Sequence, residues 1–139
     1  MKFSRTASAN WKGEGKTGKG KISTESGVLD NSPYAFKTRF EEEVGTNPEE
    51  LVGAAHAGCY TMQLSFLLNE AGYTATNLDT KAEVYFEDSE IPKIELTLTG
   101  EVPEIEEKEF LKIANKAKEI CPLSKLLKAA EITLDATLK

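Results

Sequence analysis

The sequence predicts one α+β domain with mainly antiparallel strands, and three observations lead to that fold class. The chain has 139 residues, a length that suits a single hydrophobic core spanning residues 1–139. Apolar residues alternate along several short segments, which is the pattern of half-buried strands. Two longer segments repeat apolar residues at steps of three and four, as helices do. Strands precede, separate and follow these helices, an order typical of α+β domains.

The first third of the chain has the pattern of β structure. Residues 7–11 alternate in polarity, and the glycine-rich segment 13–20 supplies turn residues. Residues 34–40 alternate as well, which predicts a strand on which Arg39 points away from the aromatic side chains. The apolar-side residues are Ala7, Ala9 and Trp11 in the first segment and Tyr34, Phe36, Thr38 and Phe40 in the second.

A long helix is predicted from Asn47 to about Asn69. Asn47 can cap the helix, Pro48 is tolerated at the first helical position, and the two acidic residues that follow favour its positive end. A stripe of apolar residues at helical spacing is expected to include Cys59. The stripe consists of Val52, Ala55, Cys59, Met62 and Phe66.

The second half of the chain continues with strands, a helix and a final strand. Alternation predicts strands around residues 82–86, 94–98 and 132–138, and helical spacing predicts an amphipathic helix over 104–120. The pair Cys121-Pro122 interrupts that helix, and residues 124–130 are expected to form a further helical piece.

Composition and charge exclude several classes of protein. The net charge of −6 disfavours binding to nucleic acid, whose phosphates repel an acidic surface. No signal peptide is visible, and no stretch approaches the roughly 18 apolar residues of a membrane helix, so we expect a cytoplasmic protein that does not bind membranes. One His and two Cys without paired spacing make a poor zinc site. The two cysteines are therefore inert thiols or a redox pair.

Each cysteine has a structural and a chemical interpretation. Cys59 is either a small buried hydrophobe or a nucleophile, and the second role requires a nearby cation because the thiolate is the reacting species. Arg39, with a permanent charge and a planar fork, suits that role better than His56, because a lone histidine near a core is more often a hydrogen-bonded packing residue. Cys121 is either a buried helix-end residue or a thiol whose sulfur faces backbone N–H groups of the turn after Pro122.

Glu49 also has two interpretations. About 15 Å of helix axis separates it from Cys59, so it cannot contact that thiol along one straight helix. It can hold a long arginine side chain from a neighbouring strand, or it can simply complement the helix dipole.

Two segments resemble the signatures of the OsmC/Ohr family of hydroperoxide reductases. Residues 45–59 read GTNPEELVGAAHAGC, and residues 121–125 read CPLSK. The resemblance extends over essentially the whole chain, including residues 23–29 and 131–135, and indicates the OsmC (osmotically inducible protein C) branch.

The resemblance implies a fold, an assembly and residue roles. The expected fold is OsmC-like, with a strongly curved, mainly antiparallel sheet around two long helices in an intertwined homodimer. Cys59 corresponds to the peroxidatic cysteine and Cys121 to the resolving one. Arg39 corresponds to the arginine that activates the thiolate, and Glu49 to the acid that orients that arginine.

The implied activity is reduction of organic hydroperoxides to alcohols in oxidative or osmotic stress. Cys59 would form a sulfenic acid, Cys121 would convert it to a disulfide, and an external dithiol, of lipoyl type by the resemblance, would reduce that disulfide. No metal, flavin or haem is required. Phe36, Phe40, Met62 and Phe66 are either core residues or the lining of an apolar substrate pocket. The alternative functions are a non-catalytic protein that binds an apolar ligand and a thiol redox sensor.

Overall fold

The computed structural model describes residues 1–139. The backbone forms two compact units, residues Met1–Leu51 and residues Val52–Lys139. One long helix begins near the end of the first unit and continues through the start of the second. The single domain that the chain length indicates for residues 1–139 stays a prediction.

The first unit contains a small antiparallel sheet. Its strands are β1 (Ala7–Lys12), β2 (Lys19–Thr24) and β3 (Ser32–Tyr34), in the order β1-β2-β3. The rings of Trp11 and Tyr34 lie 5.4 Å apart between centroids and pack over Gly20, where a Cβ atom would collide with both rings. The strand predicted for residues 7–11 is confirmed.

The strand predicted for residues 34–40 is wrong beyond Tyr34. Residues Phe36–Phe40 form a short helix, α1, instead. The Thr38 hydroxyl accepts the backbone N–H of Ala35 at 2.7 Å and donates to the Ala35 carbonyl at 2.9 Å. This local exchange of hydrogen bonds satisfies the backbone inside one turn, so the segment does not need a neighbouring strand.

The second unit contains a three-stranded sheet and the remaining helices. The strands are β4 (Asn77–Glu87), β5 (Glu90–Glu101) and β6 (Glu131–Leu138), with β4 antiparallel and β6 parallel to β5. Positive φ values at Asp88 and Ser89 make the tight turn between β4 and β5. The three strands predicted for this half are confirmed, and so is a mixed α+β fold with mainly antiparallel strand pairs.

Two helices separate β5 from β6. Helix α3 (Glu107–Ile120) begins three residues later than predicted, after Glu104, whose φ of 68° is not helical. Helix α4 (Pro122–Leu126) begins at the proline rather than at residue 124 and ends before residue 130. Proline fits the first position of a helix because it has no N–H that would remain unpaired there.

Helix α2 (Pro48–Glu70) forms as predicted, but it buries a different face. Asn47 caps it by accepting the N–H of Glu50 at 2.7 Å. Met62 and Phe66, from the predicted stripe, are 64% and 59% exposed. The buried residues are Gly53, His56, Tyr60, Leu64, Leu67 and Leu68. Because the helix is apolar on much of its circumference, periodicity alone did not identify the buried side.

By length and composition, α2 would also be able to cross a membrane, contrary to the expectation that no stretch approaches that length. One such helix is weak evidence for a membrane span, because helices of globular cores pass the same test. Here the helix contributes Tyr60, Leu64 and Leu68, all with 0% exposure, to the core of the second unit. That core also contains buried side chains from β5 and α3, chiefly Ile94, Leu96, Leu98, Phe110, Ala114 and Ala117.

We predict opposite effects of alanine at two glycines of the second unit. A Cβ atom at Gly100, on β5, would lie 2.6 Å from the fully buried ring of Phe110, so Gly100→Ala should lower the free energy of unfolding by about 1–3 kcal/mol. The control is Gly58→Ala on α2, where no atom lies within 4 Å of the new Cβ. This change should raise the free energy of unfolding by about 0.5–1 kcal/mol. Urea unfolding measures both, and equal destabilisation by the two changes would contradict the packing described.

Candidate functional site

The two cysteines meet in the second unit although they are far apart in sequence. The Cys121 thiol donates to the Cys59 sulfur with an Sγ–Sγ distance of 3.3 Å, across 62 sequence positions. Cys121 is fully buried, Cys59 is partly buried, and both are free thiols. Because a disulfide bond is about 2.05 Å long, a small approach of the two sulfurs would be enough to form one.

The position of Cys121 is set by the junction of two helices. Its N–H donates to the Ala117 carbonyl at 2.9 Å, which ends α3, and its carbonyl accepts the N–H of Lys125 at 3.0 Å, which begins α4. Pro122 follows directly and cannot continue the hydrogen bonding of α3. The interruption that the sequence predicts at Cys121-Pro122 is therefore the feature that places this thiol at a helix corner.

The surroundings of Cys59 act on its pKa in opposite directions. Burial is the largest influence and raises the pKa of the thiol, a hydrogen bond from the backbone N–H of Leu123 lowers it, and the nearby Cys121 raises it. The net pKa is raised. One sequence interpretation was that the N–H groups of the turn after Pro122 face the sulfur of Cys121. In the structure, the N–H of Leu123 in that turn hydrogen-bonds to Cys59. A reactive thiolate at Cys59 would need further positive charge.

Arg39 and Glu49 form an ion pair in the first unit. The Nε and Nη2 atoms of Arg39 both donate to Oε1 of Glu49, at 2.9 Å and 2.6 Å. Arg39 comes from α1 and Glu49 from the first turn of α2, where the cap residue Asn47 also donates to the Thr38 carbonyl at 3.3 Å. Glu49 therefore holds an arginine side chain, which is one of its two sequence interpretations, but that arginine lies on a helix and not on the predicted strand.

A small apolar pocket lies beside Arg39 in the first unit. Its volume is about 190 Å³, and four of its eight lining residues are aromatic. These are Trp11, Tyr34, Phe36 and Phe40. Phe36 and Phe40 line this pocket, and that the pocket takes substrate stays a prediction. Met62 and Phe66 do not line this pocket and are mostly exposed.

A buried polar pair close to the cysteines was missed in part by sequence reasoning. His56 Nε2 lies 2.8 Å from Ser124 Oγ, and burial lowers the pKa of the imidazole. The sequence favoured a hydrogen-bonded packing residue over a cation for His56, which agrees with this contact, but it did not single out Ser124. A signal was available, because each residue lies three positions from a cysteine.

Sequence comparison relates the chain to known proteins over its full length. A family model described as OsmC-like protein matches residues 40–136, a range that includes Glu49, Cys59 and Cys121 and begins one residue after Arg39. The chain is 52% identical over 143 aligned positions to peroxiredoxin OsmC of Escherichia coli (strain K12), covering 100% of this chain and 99% of that protein. It is 28% identical to organic hydroperoxide resistance protein OhrB of Bacillus subtilis (strain 168), covering 76% and 79%.

Comparison of structures gives the same fold. A crystal structure of an organic hydroperoxide resistance protein from Elizabethkingia anophelis, with thiocyanate bound, superposes with a TM-score of 0.74. The superposition covers 100% of both chains at 22% sequence identity. At this identity the likeness concerns the fold alone.

Proposed function

The chain belongs to the OsmC-like protein family, and from that premise we propose that it is a thiol-dependent peroxidase that reduces organic hydroperoxides to alcohols. The observation that carries the proposal is the 3.3 Å contact between the sulfurs of Cys59 and Cys121. A full-length relative with 52% identity that is named a peroxiredoxin supports peroxidase activity. The relative named for organic hydroperoxide resistance supports organic peroxides as the substrates.

The reaction proceeds through three sulfur steps. The Cys59 thiolate attacks the outer oxygen of the hydroperoxide, the O–O bond breaks, and the protonated leaving group departs as an alcohol while Cys59 becomes a sulfenic acid. The Cys121 thiol then attacks the Cys59 sulfur, which forms the disulfide and releases water. An external dithiol, of lipoyl type by resemblance to the family, reduces the disulfide by exchange and is itself oxidised.

Arg39 and Glu49 are proposed to activate Cys59. Burial raises the pKa of Cys59, so thiolate formation requires a cation that lowers it again. The Arg39 guanidinium is permanently charged, and two hydrogen bonds to one Glu49 oxygen restrict its plane. The apolar pocket beside Arg39 would take the alkyl or aryl part of the substrate, which favours organic hydroperoxides over hydrogen peroxide.

A homodimer is part of the proposal. The exposed side of α2 carries Met62 and Phe66 together with the small residues Ala54 and Ala55. Large apolar side chains at high exposure, beside small residues that permit close backbone approach, suit contact with a second copy of the chain. The proposed location is the cytoplasm, where thiols are kept reduced.

The peroxidase proposal predicts distinct defects for the two cysteines. With excess dithiol, wild type should consume cumene hydroperoxide faster than hydrogen peroxide, and Cys59→Ser should abolish both activities because no sulfenic acid can form. Without dithiol, Cys121→Ser should react once with peroxide and form no intramolecular disulfide, as intact mass would report. A wild-type rate equal to the dithiol-only background would contradict the proposal and favour an apolar-ligand-binding protein or a sensor. A sensor would consume about one equivalent of peroxide without turnover.

A second prediction concerns the ion pair. Arg39→Gln should lower kcat/KM for cumene hydroperoxide by about 100-fold, because a charged donor to the reacting atoms is lost. Glu49→Gln should lower it by about tenfold, since the guanidinium keeps its charge and loses its orientation. Arg5→Gln is the matched control, because Arg5 stacks on Phe3 in the exposed N-terminal segment. Equal rates for Arg39→Gln and Arg5→Gln would remove Arg39 from the mechanism.

A third prediction concerns assembly. Sedimentation velocity at micromolar concentration should give a dimer for wild type and a monomer for Met62→Glu combined with Phe66→Glu, because the two carboxylates would be desolvated at the contact. Val28→Glu, at a residue that is 84% exposed, is the control and should remain dimeric. A monomeric wild type would refute the homodimer.

A further inference from the structure

His56 and Ser124 form a buried polar contact that the proposed reaction does not use. The imidazole is 0% exposed and Ser124 is 5% exposed, and Nε2 lies 2.8 Å from Oγ. The other ring nitrogen, Nδ1, is buried without a hydrogen-bond partner. A buried imidazole that leaves one nitrogen unpaired is less favourable than an apolar residue of similar size, so packing alone does not account for it.

The polar contact and the thiol contact connect the same two parts of the chain. His56 precedes Cys59 by three residues on α2, and Ser124 follows Cys121 by three residues in α4. The two contacts are therefore about one helical turn apart along each segment. The chain runs from the polar contact to the thiol contact on α2, and from the thiol contact to the polar contact at α4. A displacement of α4 relative to α2 that changed one contact would also change the other.

Helix α4 depends on external contacts for its position. It has five residues, and an isolated helix of that length is unstable in water. Two polar side-chain contacts join α4 and its cap residue to α2, namely Ser124 with His56 and Cys121 with Cys59. The backbone hydrogen bond from Leu123 to Cys59 adds a third tie on the same side.

We propose that His56 and Ser124 are positioning residues, which hold α4 so that Cys121 lies at the distance from Cys59 that disulfide formation requires. The proposal rests on the proposed function in that it assigns Cys121 as the resolving thiol. It goes beyond that function by naming a pair that takes no part in the three sulfur steps. The step that it governs is the condensation in which the Cys59 sulfenic acid and the Cys121 thiol give a disulfide and water.

The test measures disulfide formation at equilibrium in a glutathione redox buffer, where no peroxide is present. The ratio of oxidised to reduced protein gives the effective concentration of one thiol with respect to the other. His56→Leu and Ser124→Ala should each lower this concentration by about tenfold, which is the size of effect expected from losing a buried hydrogen bond. Thiol trapping followed by intact mass reads the ratio directly.

Four further variants separate positioning from general loss of structure. Thr61→Val is the matched control, because Thr61 lies on the same helix as His56 and its hydroxyl hydrogen-bonds to the Thr80 hydroxyl at 2.7 Å. This change should alter the effective concentration by less than about twofold. Ser124→Thr keeps a hydroxyl and His56→Gln keeps a side-chain N–H, so both should restore most of the wild-type value. The double variant of His56→Leu with Ser124→Ala leaves no unpaired polar atom.

The double variant keeps the test decisive even if the single variants fail to fold. It should fold and should lower the effective concentration no more than the worse single variant, because both changes remove the same contact. A wild-type effective concentration in the double variant would overturn the proposal. If the single variants fold, a loss in the double variant equal to the two single losses combined would overturn it as well. A loss in Thr61→Val as large as in Ser124→Ala would also overturn it.

A second measurement uses peroxide and distinguishes this proposal from the peroxidase proposal. If α4 is displaced, the Cys59 sulfenic acid persists and reacts with a second hydroperoxide to give the sulfinic acid and another alcohol. Ser124→Ala should therefore accumulate protein carrying two added oxygen atoms at lower peroxide excess than wild type. Lack of any peroxide reaction in wild type would refute the peroxidase alone, whereas an unchanged redox-buffer equilibrium in Ser124→Ala would refute the positioning role alone.

Discussion

The packing of α2 against α3 is the interaction on which the cysteine pair depends. Tyr60 and Leu64 on α2 share one buried cluster with Phe110 on α3. The Tyr60 hydroxyl donates to the Ala114 carbonyl at 3.0 Å, so a buried hydrogen bond accompanies the apolar contact and restricts how the helices slide. Cys59 directly precedes Tyr60, and Cys121 directly follows α3. Core packing therefore brings the two cysteines together, and the break at Pro122 sets the helix corner at which Cys121 lies.

The two thiols are held in structurally different ways. Cys59 lies within a helix of 23 residues, whose backbone hydrogen bonds fix its position. The N–H and the carbonyl of Cys121 are both hydrogen-bonded, but Cys121 lies at the junction of α3 with the five-residue helix α4, which is too short to be stable without contacts to other elements. This arrangement suits a fixed nucleophile and a second thiol that must come closer by more than an ångström to form a bond. The buried contact between His56 and Ser124 joins the short helix α4 to the long helix α2.

The Arg39–Glu49 ion pair belongs to the first unit of the chain, and the two thiols belong to the second. In the second unit, burial and the neighbouring thiol raise the pKa of Cys59, and the N–H of Leu123 opposes them. In the first unit, Glu49 orients the Arg39 guanidinium beside an apolar pocket. A neutral thiol is unreactive toward peroxide, so the proposed peroxidase needs a cation such as this one as well as the cysteine pair.

Local patterns in the sequence determined β1, the three strands of the second unit, the cap of α2 at Asn47 and the break at Cys121-Pro122, because each depends on residues that are neighbours along the chain. The motifs around both cysteines also identified the family. The sequence did not determine the fold of residues 34–40, where the Thr38 hydroxyl outweighed the alternating pattern. Nor did it select the buried face of α2 or pair His56 with Ser124. Only the tertiary structure decided these, because they depend on contacts between residues as far as 68 positions apart, which no local periodicity reports.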